Sequence, residues 1–587
     1  MSRPISPSIH FSVARAVGLI PALLLAVACV AATTQDRGAQ PDAWPHGGMV
    51  AVANPYAAEA AAAVLRQGGH AVDAAIAAHV VLGLVEPQSS GLGGGAFMLV
   101  YDREQNEVFA YDGRETAPAG ATADQFLRDG KEMNFLDARQ SGSAVGTPGV
   151  IALYELAHER HGRLTMTDNL AAAIGLASHG FVVSPRMAGF VERMARFSRL
   201  DDNPDTAAYF YPDGRPLAAG SVRDNPAYAQ TLRRFLEEGQ SAFYSGELAR
   251  TMVAAVAAEP DPGTLSLADL AGYRVAVREA LCADAGAERI CTMPPPSSGL
   301  TQIMIVNLYD QFASQAKGID LAALVDAQRL VYADRDHYVA DEQFVDVPVR
   351  QLISPIYLRH RGQHRTEVTA TPRPGDPGAV VDGKALIDRW GRDTTAETPG
   401  TSHLSIVDTF GNAVSMTATV EAPFGSSRWA GGFLLNNQMT DFARTPTLGA
   451  KVVANRAVPG KRPRSSMSPV IVFDERGELK MVSGSPGGNS IIAYVAKTLI
   501  GVLRADMTVQ QAVNAPNIIA RGPTVRVEIG VPGGAQQARL LRGLGYPVQE
   551  RQGENSGLHV IVVTEDGLEG AADPRREGKV VGVAPLN

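Results

Sequence analysis

The chain is 587 residues long, 45% hydrophobic and 19% charged, with a net charge of −8. That is the composition of an ordinary globular protein with ample length for a large core, and length alone suggests about four domains. The acidic balance and the lack of any Lys/Arg block exclude nucleic acid and an anionic membrane surface as partners.

Arg3 and Arg15 precede an apolar run from Val17 to Ala32, broken only by Gly18 and Pro21, and Ala26-Val27-Ala28 stands before Cys29. The pattern predicts a secretory signal over residues 1–32 with an Ala-x-Ala cleavage site, and so a secreted or periplasmic protein. An uncleaved anchor is one alternative. Lipid attachment through Cys29 is another, although Ala26 stands where such sites carry leucine. No later apolar run is long enough to span a bilayer.

From Asn54 the sequence turns alanine-rich. Tyr56 to Arg66 and Ala71 to Leu82 read as two helices broken at Gly68-Gly69, with side chains small enough to pack closely on a sheet. Gly91, Gly93 and Ala96 match the spacing of a dinucleotide fingerprint, but here the glycines follow a helix and open a strand, Ala96 to Tyr101, so that reading is rejected. A second strand, Glu107 to Tyr111, leads to Arg114, whose fork geometry suits a carboxylate or a structural ion pair.

Residues 122–278 mix helices and loops without a strong motif. His158/His161 and His360/His364 lack the glutamate and third ligand of a zinc helix and read as surface histidines. Cys282 and Cys291 bracket a predicted hairpin, and either a disulfide or two free buried thiols satisfies that spacing. Helices over Gln302 to Phe312 and Ala322 to Ala333 follow, then a loop-rich stretch through Pro372–Gly378 that reads as a mobile, cleavable connection to Gly400.

Thr401 heads a predicted hairpin, its two β-rich runs joined by Gly411-Asn412. A Gly-Thr pair alone is an ordinary surface feature. Threonine becomes a nucleophile when a base stands beside it, and a chain cut that makes it N-terminal supplies one in its own α-amine. Further on, Ser483 to Asn489 joins a strand to a helix from about Ile491. Its adjacent glycines, Gly487 and Gly488, are a helix-capping loop or a site for an oxyanion.

Five stretches then occur in order: Arg114-Glu-Thr-Ala-Pro118, Thr401-Ser-His-Leu-Ser-Ile-Val-Asp408, Leu434-Leu-Asn-Asn-Gln-Met-Thr-Asp-Phe442, Arg462-Pro-Arg-Ser-Ser-Met-Ser-Pro469 and Gly484-Ser-Pro-Gly-Gly488. Together they resemble the γ-glutamyltranspeptidase (glutathione hydrolase) family of N-terminal nucleophile hydrolases, from about Gly47 to the Ala572-Asp-Pro-Arg-Arg576 tail. The resemblance implies an α+β fold, the four-layer αββα sandwich of that type, made by one precursor. Cleavage between Gly400 and Thr401 would give a large subunit, 33–400, and a small one, 401–587, paired as a heterodimer.

The resemblance also implies roles. Thr401 is nucleophile and, through its amine, base, and Thr419 supports that amine. Arg114 with Ser465 and Ser466 holds a substrate α-carboxylate, and Gln438 and Asp441 lie around its α-ammonium. Gly487 and Gly488 form the oxyanion hole. Glutathione or another γ-glutamyl compound is the implied donor, and water, an amino acid or a peptide the acceptor, with no cofactor and no metal. Two departures stand out. Glu421 replaces an Asn of well-studied relatives near the substrate amine, and the Asp441–Ser465 connection is short, without the tyrosine-bearing loop that closes some relatives' pockets. A cephalosporin acylase-like amidase acting on glutaryl groups, and an envelope binding protein with a dead site, are the alternatives.

Overall fold

The computed structural model describes residues 44–586, apart from 196, 315 and 316. The predicted signal and Cys29 lie outside the described residues. No helix among the described residues is long and apolar enough to cross a membrane.

Two antiparallel sheets face each other. The first has seven strands in the order Lys579–Val583, Gly48–Val52, Gly400–Val407, Ala413–Glu421, Gly95–Asp102, Glu107–Gly113 and Ala276–Glu279. The second has six: Gly567–Ala572, His559–Thr564, Leu479–Gly484, Val470–Phe473, Glu288–Thr292 and Leu281–Ala285. Helices Pro55–Arg66 and Ala71–Val85 cover the outer face of the first sheet, and Leu300–Phe312, Leu321–Tyr338 and Ile491–Arg504 lie on the second sheet's side. This is the four-layer sandwich the resemblance implied.

Period-two alternation builds both interfaces of the first sheet. In Gly95–Asp102, Ala96, Met98 and Val100 join the core under the helices, while Phe97, Leu99 and Tyr101 join the core between the sheets. The same alternation gives the central hairpin a polar inner face. Leu404, Ile406, Val414, Met416 and Ala418 go to the helical side. Ser405 and Ser415 turn inward and donate to the carbonyls of His559 and Ser483 on the opposing sheet. His403 Nδ1 lies 2.9 Å from Thr417 Oγ1 and its Nε2 3.1 Å from Ser405 Oγ. Burial holds His403 well below the usual imidazole range, and His559 at about 3, so both rings are neutral.

Several sequence expectations need correction. The predicted helix Ala322–Ala333 runs on to Tyr338. Thr401 is the second residue of its strand, not the first. His161 is buried and bonds the Tyr111 hydroxyl at 2.7 Å, and the half-buried His158 reaches the Leu164 carbonyl, so neither is a surface histidine. His360 and His364 are exposed. The stretch before Thr401 holds three short helices, Val349–Leu352, Pro355–Gln363 and Pro377–Asp382, and ends in buried, hydrogen-bonded strand rather than a loose connection. The Cys282–Cys291 pair is a disulfide that joins directly opposed residues of two adjacent strands.

Candidate active site

Strand register places the candidate nucleophile. Thr401 pairs with Thr419, but Gly400 pairs with Glu421, so Val420 is an extra residue and the ladder bulges at the Gly400–Thr401 bond. Glu421 takes a φ of +78°, a left-handed conformation that is costly for a non-glycine residue. Gly400 has no freedom to carry a side chain: a Cβ there would sit 2.4 Å from the Glu421 carbonyl oxygen and 2.5 Å from the Ala422 carbonyl carbon, both backbone atoms.

The Thr419 hydroxyl is fully committed. It donates to the Gly400 carbonyl at 2.9 Å and accepts the Glu421 backbone N–H at 2.8 Å. Thr401 Oγ1 lies 3.1 Å away. Since the Thr419 hydrogen already points at Gly400, the hydrogen in that last contact belongs to Thr401. Thr419 thus polarises the carbonyl of the bond before Thr401 and takes a hydrogen bond from the hydroxyl that would attack it.

Arg114, Gln438 and Asp441 meet from distant parts of the chain. Arg114 Nη2 donates to Asp441 Oδ2 at 2.6 Å and to the Arg464 carbonyl at 3.0 Å, and its Nε donates to the Pro463 carbonyl at 3.2 Å. Those carbonyls lead straight into Ser465 and Ser466. Gln438 Nε2 donates to Asp441 Oδ2 at 2.7 Å. Arg114 Nη1, Asp441 Oδ1 and Gln438 Oε1 are buried without a hydrogen-bond partner. An unpaired donor beside unpaired acceptors is complementary to a ligand that carries both a carboxylate and an ammonium.

The charge around this clamp favours a cation. Burial, then the charge of Glu421, pushes the Asp441 carboxyl well up, against the pull of Arg114. Burial raises Glu421 too, opposed by bonds from Thr398 and Asn437. Beside Arg114, burial lifts Glu115 to about 7. The charge of Glu421 acts on both Asp441 and Glu115, against Arg114, so an added ammonium would relieve the repulsion among these carboxyls.

The segment just before Gly400 lies over the remaining predicted residues. Glu397 Oε2 accepts the Ser466 backbone N–H at 2.8 Å, and Glu397 pairs with Arg335. Burial would raise the Glu397 carboxyl, but Arg335 and then Arg464 overcome it and hold it at about 2. Arg335 also donates to Ser466 Oγ at 2.8 Å. Ser465 Oγ accepts the Met467 N–H at 3.1 Å and keeps its own hydrogen for another acceptor. Gly487 and Gly488 both have positive φ, and a Cβ on Gly488 would fall 2.5 Å from the Glu397 carbonyl oxygen. Gly488 therefore backs onto Glu397 and Thr398, and Gly487 onto the Tyr494 ring, while the Gly400 carbonyl takes its bond from Thr419.

Every residue singled out from the motifs thus belongs to one connected region, the disulfide pair apart. Sequence reasoning missed Arg335, Glu397 and Asn437. Only Asn437 lay inside a quoted motif, and Glu397 stands three residues before the predicted cut, which was its one local signal.

Residues 57–583 match the family model described as Gamma-glutamyltranspeptidase. The glutathione hydrolase proenzyme of Bacillus subtilis (strain 168) is 33% identical over 553 residues, covering 91% of each chain. The acylase ACY 1 proenzyme of Pseudomonas sp. (strain V22) is 31% identical, covering 92% of this chain and 94% of that one. Among solved structures, the cephalosporin acylase from Bacillus halodurans superposes with a TM-score of 0.79 at 26% identity, covering 94% of this chain and 98% of that one.

Proposed function

The chain belongs to the gamma-glutamyltranspeptidase family and is a γ-glutamyltransferase/glutathione hydrolase; on that premise we propose that it is a secreted precursor that cuts itself between Gly400 and Thr401 and then works as a heterodimer through Thr401. The observation that carries this reading is the hydrogen-bonded set of Thr401, Thr419 and the Gly400 carbonyl.

In the precursor, Thr401 Oγ attacks the Gly400 carbonyl carbon while Thr419 bonds the carbonyl oxygen. The hydroxyl proton passes to the Thr401 nitrogen, the C–N bond breaks, and an ester joins Gly400 to Thr401 Oγ. Water cleaves that ester, giving a Gly400 carboxylate, a free Thr401 hydroxyl and a new α-amine. Gly400→Ala is expected to accumulate as an uncut chain, since the added methyl meets backbone on two sides. Denaturing electrophoresis checks this, and a variant that cuts at the parent rate would contradict it.

In the cut enzyme the Thr401 amine, with an ordinary pKa of about 8, takes the hydroxyl proton. Thr401 Oγ then attacks the donor's γ-carbonyl, the leaving amine collects the proton, and a γ-glutamyl ester remains for water or an acceptor amine to take. Arg114 and Asp441 hold the two charges of the γ-glutamyl head and so orient the reacting carbon. Gly487 and Gly488 serve the oxyanion once the segment ending at Gly400 has left them. The short Asp441–Ser465 connection leaves the pocket open to longer γ-glutamyl peptides.

Glu421 has a testable part in the pH profile. Its charge raises the Asp441 carboxyl and would raise the Thr401 amine as well. Activity should therefore fall on the acid side at a pH above the ordinary carboxylate range. Glu421→Gln removes that charge, so the acid limb of kcat/KM should move to lower pH; a limb that stays put or moves up would count against the assignment. The reading as a whole is tested by the first residue of the smaller fragment, expected to be Thr401, and by turnover of γ-glutamyl against glutaryl anilides. A strong glutaryl preference would favour the acylase reading, which the resemblance to acylases keeps in view.

A further inference from the structure

Three consecutive carbonyls span the bond between Gly400 and Thr401, and each accepts a hydrogen bond from a different side chain. Asn555 Nδ2 donates to the Pro399 carbonyl at 3.2 Å, Thr419 Oγ1 to the Gly400 carbonyl at 2.9 Å, and Arg576 Nη1 to the Thr401 carbonyl at 2.8 Å. The resemblance gave Thr419 its role. It gave none to Asn555 or to Arg576, which closes the Ala572–Arg576 tail, and both come from the far end of the chain.

Both outer donors are themselves held. Asn555 Oδ1 accepts from Arg186 Nη2 at 3.1 Å, and the Arg186 backbone N–H donates to Glu577 Oε1 at 2.8 Å. Arg186 Nε lies 3.4 Å from the buried Glu86, whose other oxygen accepts the Ser402 hydroxyl at 3.2 Å. Arg576 Nε and Nη2 donate to the Ser556 and Asn555 carbonyls. The arginine reaches Thr401 by crossing Gly557, where a Cβ would fall 2.6 Å from both its Cδ and its Nε. Burial, then the charge of Arg186, lowers the guanidinium to about 9, with Glu86, Asp573 and Tyr494 opposing, so it stays cationic at neutral pH.

Fixing a carbonyl fixes its peptide plane. With the planes on either side pinned, distortion concentrates in the one plane that must lose its amide character. Departure from planarity costs about 1 kcal/mol for ~12° of ω, and the cost rises steeply beyond that. The bulge at Gly400–Thr401 lies in the same place. We infer that Arg576 and Asn555 are positioning residues for self-cleavage, which clamp the Thr401 and Pro399 carbonyls so that the Gly400–Thr401 peptide is held ready for attack by the Thr401 hydroxyl. The inference rests on the self-cleavage reading above. After the cut the Pro399 contact is lost with the departing end, while Arg576 keeps hold of Thr401 and fixes the direction of its amine and hydroxyl.

The test follows the full-length chain in time, by gel and mass spectrometry, for the fragment that begins at Thr401, alongside the melting temperature of uncut material. Arg576→Ala should slow its appearance by about ten-fold or more, the range expected for one buried charge-assisted hydrogen bond. Arg576→Lys, which keeps the charge and one donor, should recover most of that rate. Gly557→Ala, which displaces the guanidinium without removing it, should slow cleavage as Arg576→Ala does. Asn555→Ala, at a half-buried position, should slow it by several-fold.

Cleavage at the parent rate in Arg576→Ala or Gly557→Ala would overturn the inference. So would an Arg576→Lys chain as slow as the alanine variant, because a purely structural arginine would give that result. If Arg576→Ala does not fold, Gly557→Ala and Asn555→Ala decide. Thr401→Ala run in parallel separates the levels: a Thr401→Ala chain that splits at Gly400 sinks the self-cleavage reading, whereas an intact one beside a normally cleaving Arg576→Ala sinks only the clamp.

Discussion

Thr401→Ala is expected to remain a single polypeptide and to show no γ-glutamyl turnover. Both outcomes have one cause. The Thr401 hydroxyl lies 3.1 Å from the Thr419 hydroxyl, and Thr419 already directs its hydrogen at the Gly400 carbonyl. Without the hydroxyl no ester forms, the C–N bond survives, and no α-amine is released to act as base. Loss of a nucleophile commonly removes on the order of 10³-fold activity or more, and here the missing cut adds to it. Mass spectrometry of the purified variant checks the first outcome and a γ-glutamyl anilide assay the second. An active variant, or one split at Gly400, would remove Thr401 from the centre of the mechanism.

Asp441→Asn should separate the two activities that run through the chain's relatives. The substitution keeps the shape of the side chain and removes the charge opposite Arg114. A γ-glutamyl donor brings an ammonium into a cleft that already holds Glu421 and Asp441, and it loses its principal counter-charge in the variant. Breaking a buried charge pair from one side costs about 3–5 kcal/mol, so kcat/KM for a γ-glutamyl anilide should fall by roughly 10²-fold or more. A glutaryl anilide has no ammonium and should lose far less. Equal losses on both substrates would mean that Asp441 serves the fold or Arg114 rather than the ammonium.

What could be read from the sequence depended on whether the signal was local. The Thr401 hairpin announces itself by alternation around Gly411-Asn412, and its observed register brings Thr401 opposite Thr419. The two alanine-rich helices and the strands from Ala96 and Glu107 are equally local, and all appear within a residue or two at their starts. The clamp could not be found that way. Arg114 and Asp441 are 327 residues apart, and only a motif carried over from a family joined them.

Where neither periodicity nor motif spoke, reading failed for a physical reason. His161 looked like a surface histidine because its partner, Tyr111, is 50 residues away on a strand that the helix covers. Glu397 looked like part of a solvated linker because the arginines that hold it, Arg335 and Arg464, lie 62 and 67 residues off, each in a sequence with no visible relation to it. The stretch before Gly400 is rich in polar residues and proline, which usually means exposure. Here those polar groups are matched one by one inside the protein, from Thr398 on Glu421 to Pro399 on Asn555.

The order of strands has a consequence for the product of the cut. Of the seven strands in the first sheet, Gly400–Val407 (from Thr401 on), Ala413–Glu421 and Lys579–Val583 would belong to the smaller piece and the other four to the larger, and Gly48–Val52 of the larger piece lies between two strands of the smaller. The second sheet is likewise shared, with only Leu281–Ala285 and Glu288–Thr292 drawn from the larger piece. Neither piece owns a complete sheet, so dilution offers no route by which they could drift apart intact. The halves would part only when the whole molecule melts, and a mixture of separately refolded halves would have to weave both sheets anew.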